Sequence, residues 1–202
     1  MGDINVSEID KCGIRQAATT LHQSFKQDPL IRWIFIHDDH YAQKGLPVFE
    51  TWVKYAVLYG RAFKTNHFES VALRKKPGDL KTSFWRIFRS GMLKTPTLLG
   101  KESFDRLMVL EELLLKEKRN NMGDRLFWYC WMLGTQPSHQ KKGFGSALMN
   151  HTFEMAKKDH LPCYLETSSQ ASKQVHSNKG YQCLSEITLP QSDVKVYAML
   201  RE

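Results

Sequence analysis

A short glycine-containing loop, Gln140 to Gly145, constrains the fold of this chain more than any other feature. It follows an apolar and aromatic run, Leu126 to Thr135, whose lack of alternation is typical of a central strand buried on both faces. A helical pattern begins near Gly143 and extends to about Asp159. Glycines at the point where a strand gives way to a helix N-terminus form the backbone geometry that binds a pyrophosphate. The loop therefore predicts binding of a phosphorylated cofactor.

Two common nucleotide-binding loops do not fit this segment. A Walker A loop has Lys and then Ser or Thr directly after its last glycine, but Gly145 is followed by Ser146 and Ala147. A Rossmann fingerprint has a third glycine where this chain has Leu148. Two interpretations remain open: a shorter loop whose amides face one pyrophosphate, and an ordinary helix N-terminus with glycines for close packing.

The remaining pattern predicts one α/β (α+β) domain over residues 1–202. The helical block from Leu80 to Arg119, broken near Thr95-Pro96, is expected to contribute a core face, and the polar stretch from Lys116 to Asp124 separates it from the strand that follows. The other predicted elements are a strand at Ile4 to Val6, a helix from about Gly13 to Lys26, a helix opened by Pro47 and ended by Gly60, strands at Ala62 to Lys64, Glu69 to Arg74 and Pro162 to Thr167, a helix at Ser172 to Asn178, and a hairpin of Tyr181 to Leu189 with Val194 to Leu200.

The formal charge of +8 suits anionic ligands without naming one. A basic balance of this kind usually reflects a solvated surface, and the clusters Arg74-Lys75-Lys76 and Lys116 to Arg119 lie in no helix-turn-helix or zinc-finger pattern. We therefore expect no nucleic-acid partner. His37 to His40 invites a metal interpretation, but consecutive ligands rarely converge on one ion, so a solvated acidic loop and no metal are expected.

The four cysteines lie far apart, without a C-x-x-C spacing. They are expected to be free thiols, and with no signal peptide or bilayer-length apolar segment predicted, the protein is expected to be cytoplasmic, without a membrane partner.

The loop resembles the acyl-CoA-binding signature of the GCN5-related N-acetyltransferase (GNAT) superfamily, R/Q-x-x-G-x-G/A. Gln140, Gly143 and Gly145 match every fixed position. From Trp128 to about Tyr181 the chain is also similar to puromycin N-acetyltransferase-like members, through segments such as Leu161 to Ser168. The resemblance covers the C-terminal third well and the rest only by the order of elements.

The resemblance implies the GNAT fold, a central mixed, splayed β-sheet flanked by helices, with residues 1–124 as the acceptor-side half and 125–202 as the acetyl-CoA-binding half. It implies transfer of an acetyl group from acetyl-CoA to a primary amine, by direct attack in a ternary complex. The alternative is a CoA-binding GNAT-fold regulatory or binding module without transferase activity. The cofactor-binding residues that it implies are Leu133, Gly134, Thr135, Gln140, Lys141, Lys142, Gly143, Phe144, Gly145, Ser146 and Ser172.

Two residues are the catalytic candidates. Glu166 is a lone carboxylate in an apolar strand, and it is the preferred base because the preceding strand, Leu126 to Thr135, has no carboxylate. The alternative is that Glu166 pairs with a basic residue or caps backbone amides. His176 occupies the position at which many relatives carry a Tyr that protonates the departing thiolate, and imidazole can also donate a proton near neutral pH. Ser172 departs from the family too, since relatives often have Asn there. The acceptor, a small-molecule amine or a peptide, is not identified, and a homodimer is compatible with the sequence.

Overall fold

A seven-stranded mixed sheet with helices on both faces makes up the computed structural model, which describes residues 3–79 and 82–202. The strands are β1 Val6–Glu8, β2 Arg61–Thr65, β3 Ser70–Lys75, β4 Trp128–Thr135, β5 Cys163–Thr167, β6 Gln182–Thr188 and β7 Lys195–Arg201. The helices are α1 Ile14–Ser24, α2 Pro29–Ile34, α3 Asp38–Tyr59, α4 Phe84–Ser90, α5 Thr95–Leu99, α6 Lys101–Met122, α7 Phe144–Asp159 and α8 Gln170–Ser177. Along the described residues, no helix has both the length and the apolar character needed to cross a bilayer.

The strands follow the spatial order β1-β2-β3-β4-β5-β7-β6, and the α/β class predicted from the sequence is confirmed. Every neighbouring pair is antiparallel except β4 and β5. These two parallel strands pair at Trp128 with Cys163 and at Tyr129 with Tyr164, and beyond Tyr129 the described residues of β4 have no further registered pair with β5. The predicted splay of the sheet is therefore present, and it opens a gap between the two strands.

A bulge in β4 lies beside this gap. Leu73 pairs with Met132 but Arg74 pairs with Cys130, so Trp131 is an extra residue in the ladder. Arg74 is 1% exposed, and its Nη1 donates to the carbonyl of Met132 at 2.9 Å while its Nε donates to Thr152 Oγ1 at 2.9 Å. A buried guanidinium therefore holds the irregular part of β4 against α7.

The two faces of the sheet are covered by different helices. The largest core cluster joins buried residues of α1, α3 and α6, such as Leu21, Phe49 and Leu110. On the other face α7 packs on the sheet, where Leu148 meets Phe63 and Ala72. This layering explains why β4 is apolar on both sides.

Helix α3 differs from the sequence-based expectation. It begins at Asp38, with Pro47 inside it. His37 to Asp39 are exposed, as expected of a solvated segment, but His37 to His40 form the cap and first turn of a helix instead of a loop. An internal proline costs a helix about 3 kcal/mol. Burial of large side chains on both sides of it, such as Tyr41 and Trp52, outweighs that cost.

The region predicted as one helical block is divided by glycines. Gly91 and Gly100 have φ of 83° and 73° and end α4 and α5, whereas Pro96 lies in the first turn of α5 and so begins a helix. Helix α6 continues to Met122, so the stretch expected to be a polar separator is helical and contains the buried Lys118. Leu80 and Lys81, where the block was predicted to begin, lie outside the described residues, and the first strand is Val6–Glu8 instead of Ile4–Val6.

Candidate active site

The predicted strand, loop and helix are present, with the loop at the N-terminus of α7. Gly143 is the N-cap residue with φ of 90°, and its position has no side chain to cap the helix. The amides of Phe144, Gly145 and Ser146 belong to the first helical turn, whose N–H groups have no partner within a helix. Lys141 and Lys142 are exposed beside them. Free amides, the positive end of a 16-residue helix and two lysines form a setting that favours an anion.

The loop packs against the end of β4. Gln140 Nε2 donates to the carbonyl of Thr135 at 3.3 Å, and a Cβ at Gly145 would lie 3.2 Å from Thr135 Oγ1. Gly134 is needed for another reason, because a Cβ there would collide with the side chain of Ser24 on α1. The glycines of this region thus serve two purposes, the turn into α7 and the close approach of α1.

A cavity of about 150 Å³ lies in the gap between β4 and β5. It brings together four of the predicted site residues, Leu133, Glu166, Ser172 and His176, whereas the glycine loop lies outside its lining. Ser172 is held by Ser169, which caps α8 and contacts the Ser172 hydroxyl at 2.8 Å. Other polar residues of the lining were not anticipated as site residues: Asp28, Arg74, Glu111, Tyr129, Cys130 and Tyr181.

Glu166 is almost completely buried and forms an ion pair with Lys118 of α6. Its Oε1 lies 2.8 Å from Lys118 Nζ, and the two side chains are 4% and 7% exposed. Although the two atoms are close, the angles of this contact are not those of a hydrogen bond. Oε1 accepts no hydrogen bond from the described residues. Lys118 Nζ is also 4.3 Å from the centre of the Tyr129 ring. The carboxylate is therefore charge-compensated while a lone pair on Oε1 stays available.

His176 lies on α8 with its Nδ1 buried and without a partner among the described residues. Burial, with a smaller contribution from the Arg74 guanidinium, lowers the pKa of His176 to about 4. The imidazole is therefore neutral at pH 7. Its ring lies 5.5 Å from that of Tyr181, whose hydroxyl is 3.6 Å from Cys130 Sγ. Burial raises the pKa of Tyr181, so its phenol keeps its proton.

Asp28 is a second carboxylate of the cavity that the sequence analysis missed. It caps α2 by accepting from the amides of Leu30 and Ile31 at 3.0 and 3.1 Å, and it accepts from Ser168 Oγ at 3.1 Å. Burial raises its pKa, the largest effect, while these hydrogen bonds oppose the rise. The sequence does contain a sign of this role, because Asp directly before Pro is a common start of a helix. In the sequence analysis the pair Asp28-Pro29 indicated only the end of α1.

A larger cavity of about 880 Å³ adjoins the first on the side of α3, α4 and α6. Its lining is mostly apolar, and it includes Lys75 and Lys118. Residues common to both linings show that the cavities meet: Trp52, Leu107, Glu111, Tyr129 and Trp131. A route therefore leads from the apolar cavity to the gap in the sheet.

Within residues 3–79 and 82–202, no group of three or more His, Cys, Asp or Glu side chains has the arrangement of a metal site. All four cysteines are free thiols, as the sequence analysis expected.

Comparisons with known proteins agree with this architecture. The model of the acetyltransferase (GNAT) family matches residues 113–181. An uncharacterized N-acetyltransferase of Schizosaccharomyces pombe is 24% identical over 200 residues, which cover 93% of this chain and 79% of the relative. A crystal structure described as histone acetyltransferase HPA2 and related acetyltransferase from Corynebacterium glutamicum matches with a TM-score of 0.72 and 22% identity, covering 99% and 96% of the two chains. The polyamine N-acetyltransferase of Drosophila melanogaster matches with a TM-score of 0.64 and 15% identity, covering 98% and 99%.

These structural likenesses establish the fold, and the family model covers the segment that carries the glycine loop, β4, β5 and α7. Residues 113–181 thus match the GNAT acetyltransferase family, and over nearly its whole length the chain is similar to an N-acetyltransferase and has the fold of known acetyltransferases.

Proposed function

We propose that the chain acetylates a primary amine that enters through the apolar cavity, with Glu166 as the group that accepts the amine's proton. The observation that carries this proposal is the position of Glu166, whose carboxylate lies buried in the gap between β4 and β5 where the two cavities approach each other. Amines are ammonium ions at neutral pH, so a proton must leave before nitrogen can attack. A carboxylate with a free lone pair can take it directly or through a water molecule.

The donor side of the proposed reaction uses the backbone. The amides at the start of α7 hold the pyrophosphate of acetyl-CoA, and the pantetheine arm extends into the gap between the splayed strands. Leu133, just after the bulge of β4, offers its N–H to the thioester oxygen. Negative charge develops on that oxygen in the tetrahedral intermediate, so a fixed donor there stabilises the transition state.

The reaction then proceeds without a covalent enzyme intermediate. Glu166 first takes one proton from the ammonium ion and releases it to solvent. The neutral amine nitrogen then forms a bond to the acetyl carbon and gives its second proton to Glu166, while the bond from carbon to sulfur breaks to release the CoA thiolate. The thiolate takes a proton from the phenol of Tyr181, which lies beside His176 in the same cavity. Binding both substrates side by side supplies much of the rate.

Glu166→Gln tests this assignment. We expect kcat for thiol release from acetyl-CoA, measured with a panel of amines, to fall by about 10²-fold or more, while calorimetry shows little change in acetyl-CoA affinity. Glu154→Gln, at an exposed position of α7, removes a similar charge and should leave both values unchanged. A Glu166→Gln enzyme with the kcat of the parent would remove Glu166 from the mechanism.

We also propose a cytoplasmic location for the enzyme. Its support is the set of free cysteines, two of which, Cys12 and Cys183, are exposed, since exposed thiols persist in reducing compartments. Fractionation of cells that express a tagged chain would test it.

A further inference from the structure

Lys75, at the end of β3, is a buried lysine within the larger cavity. It is 8% exposed, and its Nζ lies 4.7 Å from the centre of the Trp131 ring, 5.8 Å from that of Tyr129 and 5.9 Å from that of Tyr55. Among residues 3–79 and 82–202, no carboxylate forms an ion pair with it. Aromatic faces compensate a cation only in part, so this ammonium group has capacity for an anion.

Two carboxylates near Lys75 already have partners of their own. Glu166 pairs with Lys118, and Asp79 pairs with Arg86 at 2.6 Å. Burial lowers the pKa of Lys75, and the more distant Glu111 is the main opposing charge. Glu111 is exposed, lies at the junction of the two cavities, and has no ion pair with a described residue. The route to the sheet gap therefore presents one unpaired carboxylate and one unpaired ammonium.

We propose that the acceptor is an amine with an apolar, ring-sized body and a carboxylate at its far end, and that this carboxylate pairs with Lys75. The inference rests on the proposed function, since it identifies the substrate class of the same site. The apolar lining and the volume of about 880 Å³ accommodate a ring and its substituents. An amine without the anion would leave Lys75 buried and uncompensated, and that desolvated charge would weaken binding.

The register of the sheet sets the spacing of the two charged groups. Lys75 pairs with Tyr129, four residues before Leu133 on the same strand. At about 3.3 Å per residue, the anion site and the reacting amine are on the order of 10 Å apart. An α-amino acid, whose charges are adjacent, does not span that distance, whereas an aminoalkyl benzoate does.

Binding of amine-free probes tests the Lys75 site without catalysis. Calorimetry would compare 4-ethylbenzoate with the neutral 4-ethylbenzamide, which has a similar shape, for the wild type and for Lys75→Met, Lys75→Arg and Lys76→Met. We expect the wild type to prefer the benzoate by about 10-fold or more, Lys75→Met to lose that preference, and Lys75→Arg to keep part of it. Lys76 is the exposed neighbour, so Lys76→Met should behave as wild type. Equal binding of the two probes to the wild type, or an unchanged preference in a folded Lys75→Met, would overturn the proposal.

Turnover gives the second readout. With 4-(2-aminoethyl)benzoate and 4-(2-aminoethyl)benzamide as acceptors, we expect the carboxylate to raise kcat/KM about 10-fold, mainly through KM, and the gain to disappear in Lys75→Met. If the probes discriminate but neither amine is acetylated, the anion site stands and the proposed function fails. If both amines are acetylated equally well, the proposed function stands and the anion site is wrong.

Discussion

Lys118 Nζ lies 2.8 Å from Glu166 Oε1, and this buried ion pair connects α6 to β5 across the gap of the sheet. Residues 1–124 and 125–202 each contribute one partner, so the carboxylate proposed to act on the amine is positioned by the half proposed to bind that amine. A buried pair of this kind is weak evidence for net stability, but removing one partner leaves a desolvated charge behind. The contact between Lys118 and Glu166 therefore affects both the position of the carboxylate and the stability of the protein.

Lys118→Met should destabilise the protein strongly because it leaves Glu166 buried without its counter-ion. We expect a loss of about 3 kcal/mol in the free energy of unfolding at pH 7, measured by urea denaturation. The double variant Lys118→Met with Glu166→Gln should recover part of that loss but not the activity. Lys101→Met, which breaks an exposed pair with Asp105 on the same helix, is the matched control and should have little effect. Equal losses in the two lysine variants would contradict the prediction.

Gly143→Ala should weaken acetyl-CoA binding. Gly91→Ala provides the control, because the two glycines have similar left-handed φ values of 90° and 83° and neither added Cβ would be crowded. Both variants should lose about 1 kcal/mol of stability from backbone strain. Only Gly143→Ala should also reduce acetyl-CoA affinity in calorimetry, since its strain shifts the first amides of α7. The same affinity in both variants would argue against a pyrophosphate at this loop.

His176 should make the protein less stable as the pH falls from 6.5 to 4. Its folded-state pKa of about 4 lies below the unfolded value of 6.5, so the unfolded chain binds the proton first in this window. The loss amounts to at most about 3 kcal/mol and stops below pH 4, where both states are protonated. His176→Gln should show a shallower decline in urea titrations at pH 7 and pH 4.5, whereas His37→Gln, at an exposed position, should keep the wild-type slope. A His176→Gln slope equal to that of the wild type would show that the imidazole is solvated.

Tyr181→Phe should lower kcat more than His176→Gln does. The Tyr181 phenol holds its proton at neutral pH, whereas the neutral imidazole of His176 has no readily donated proton. We expect a fall in kcat of about 10²-fold for Tyr181→Phe without loss of acetyl-CoA affinity. Tyr59→Phe removes a hydroxyl outside both cavities and should leave kcat unchanged. A larger effect of His176→Gln would instead assign the proton to the residue at the family's Tyr position.

Much of the fold followed from local patterns. The glycine loop, α7, the hairpin of β2 and β3 and the terminal pair β6 and β7 were predicted at nearly their observed positions, because each is specified by short-range periodicity and turn residues. Helix boundaries were less predictable. Pro47 indicated a helix start but lies within α3, since burial of distant side chains outweighs the local preference of proline.

The sequence by itself determined the class of the fold and the cofactor loop, because backbone geometry at a strand-to-helix turn depends on residues next to one another. It also indicated Glu166 as the candidate base, because this residue is a carboxylate within an apolar strand. It gave no sign that three members of its basic clusters, Arg74, Lys75 and Lys118, are buried around the two adjoining cavities. Only the tertiary structure decided this, because the burial of a charge depends on which distant strands and helices surround it. Those three cations, together with the glycine loop, define the electrostatic pattern of the site.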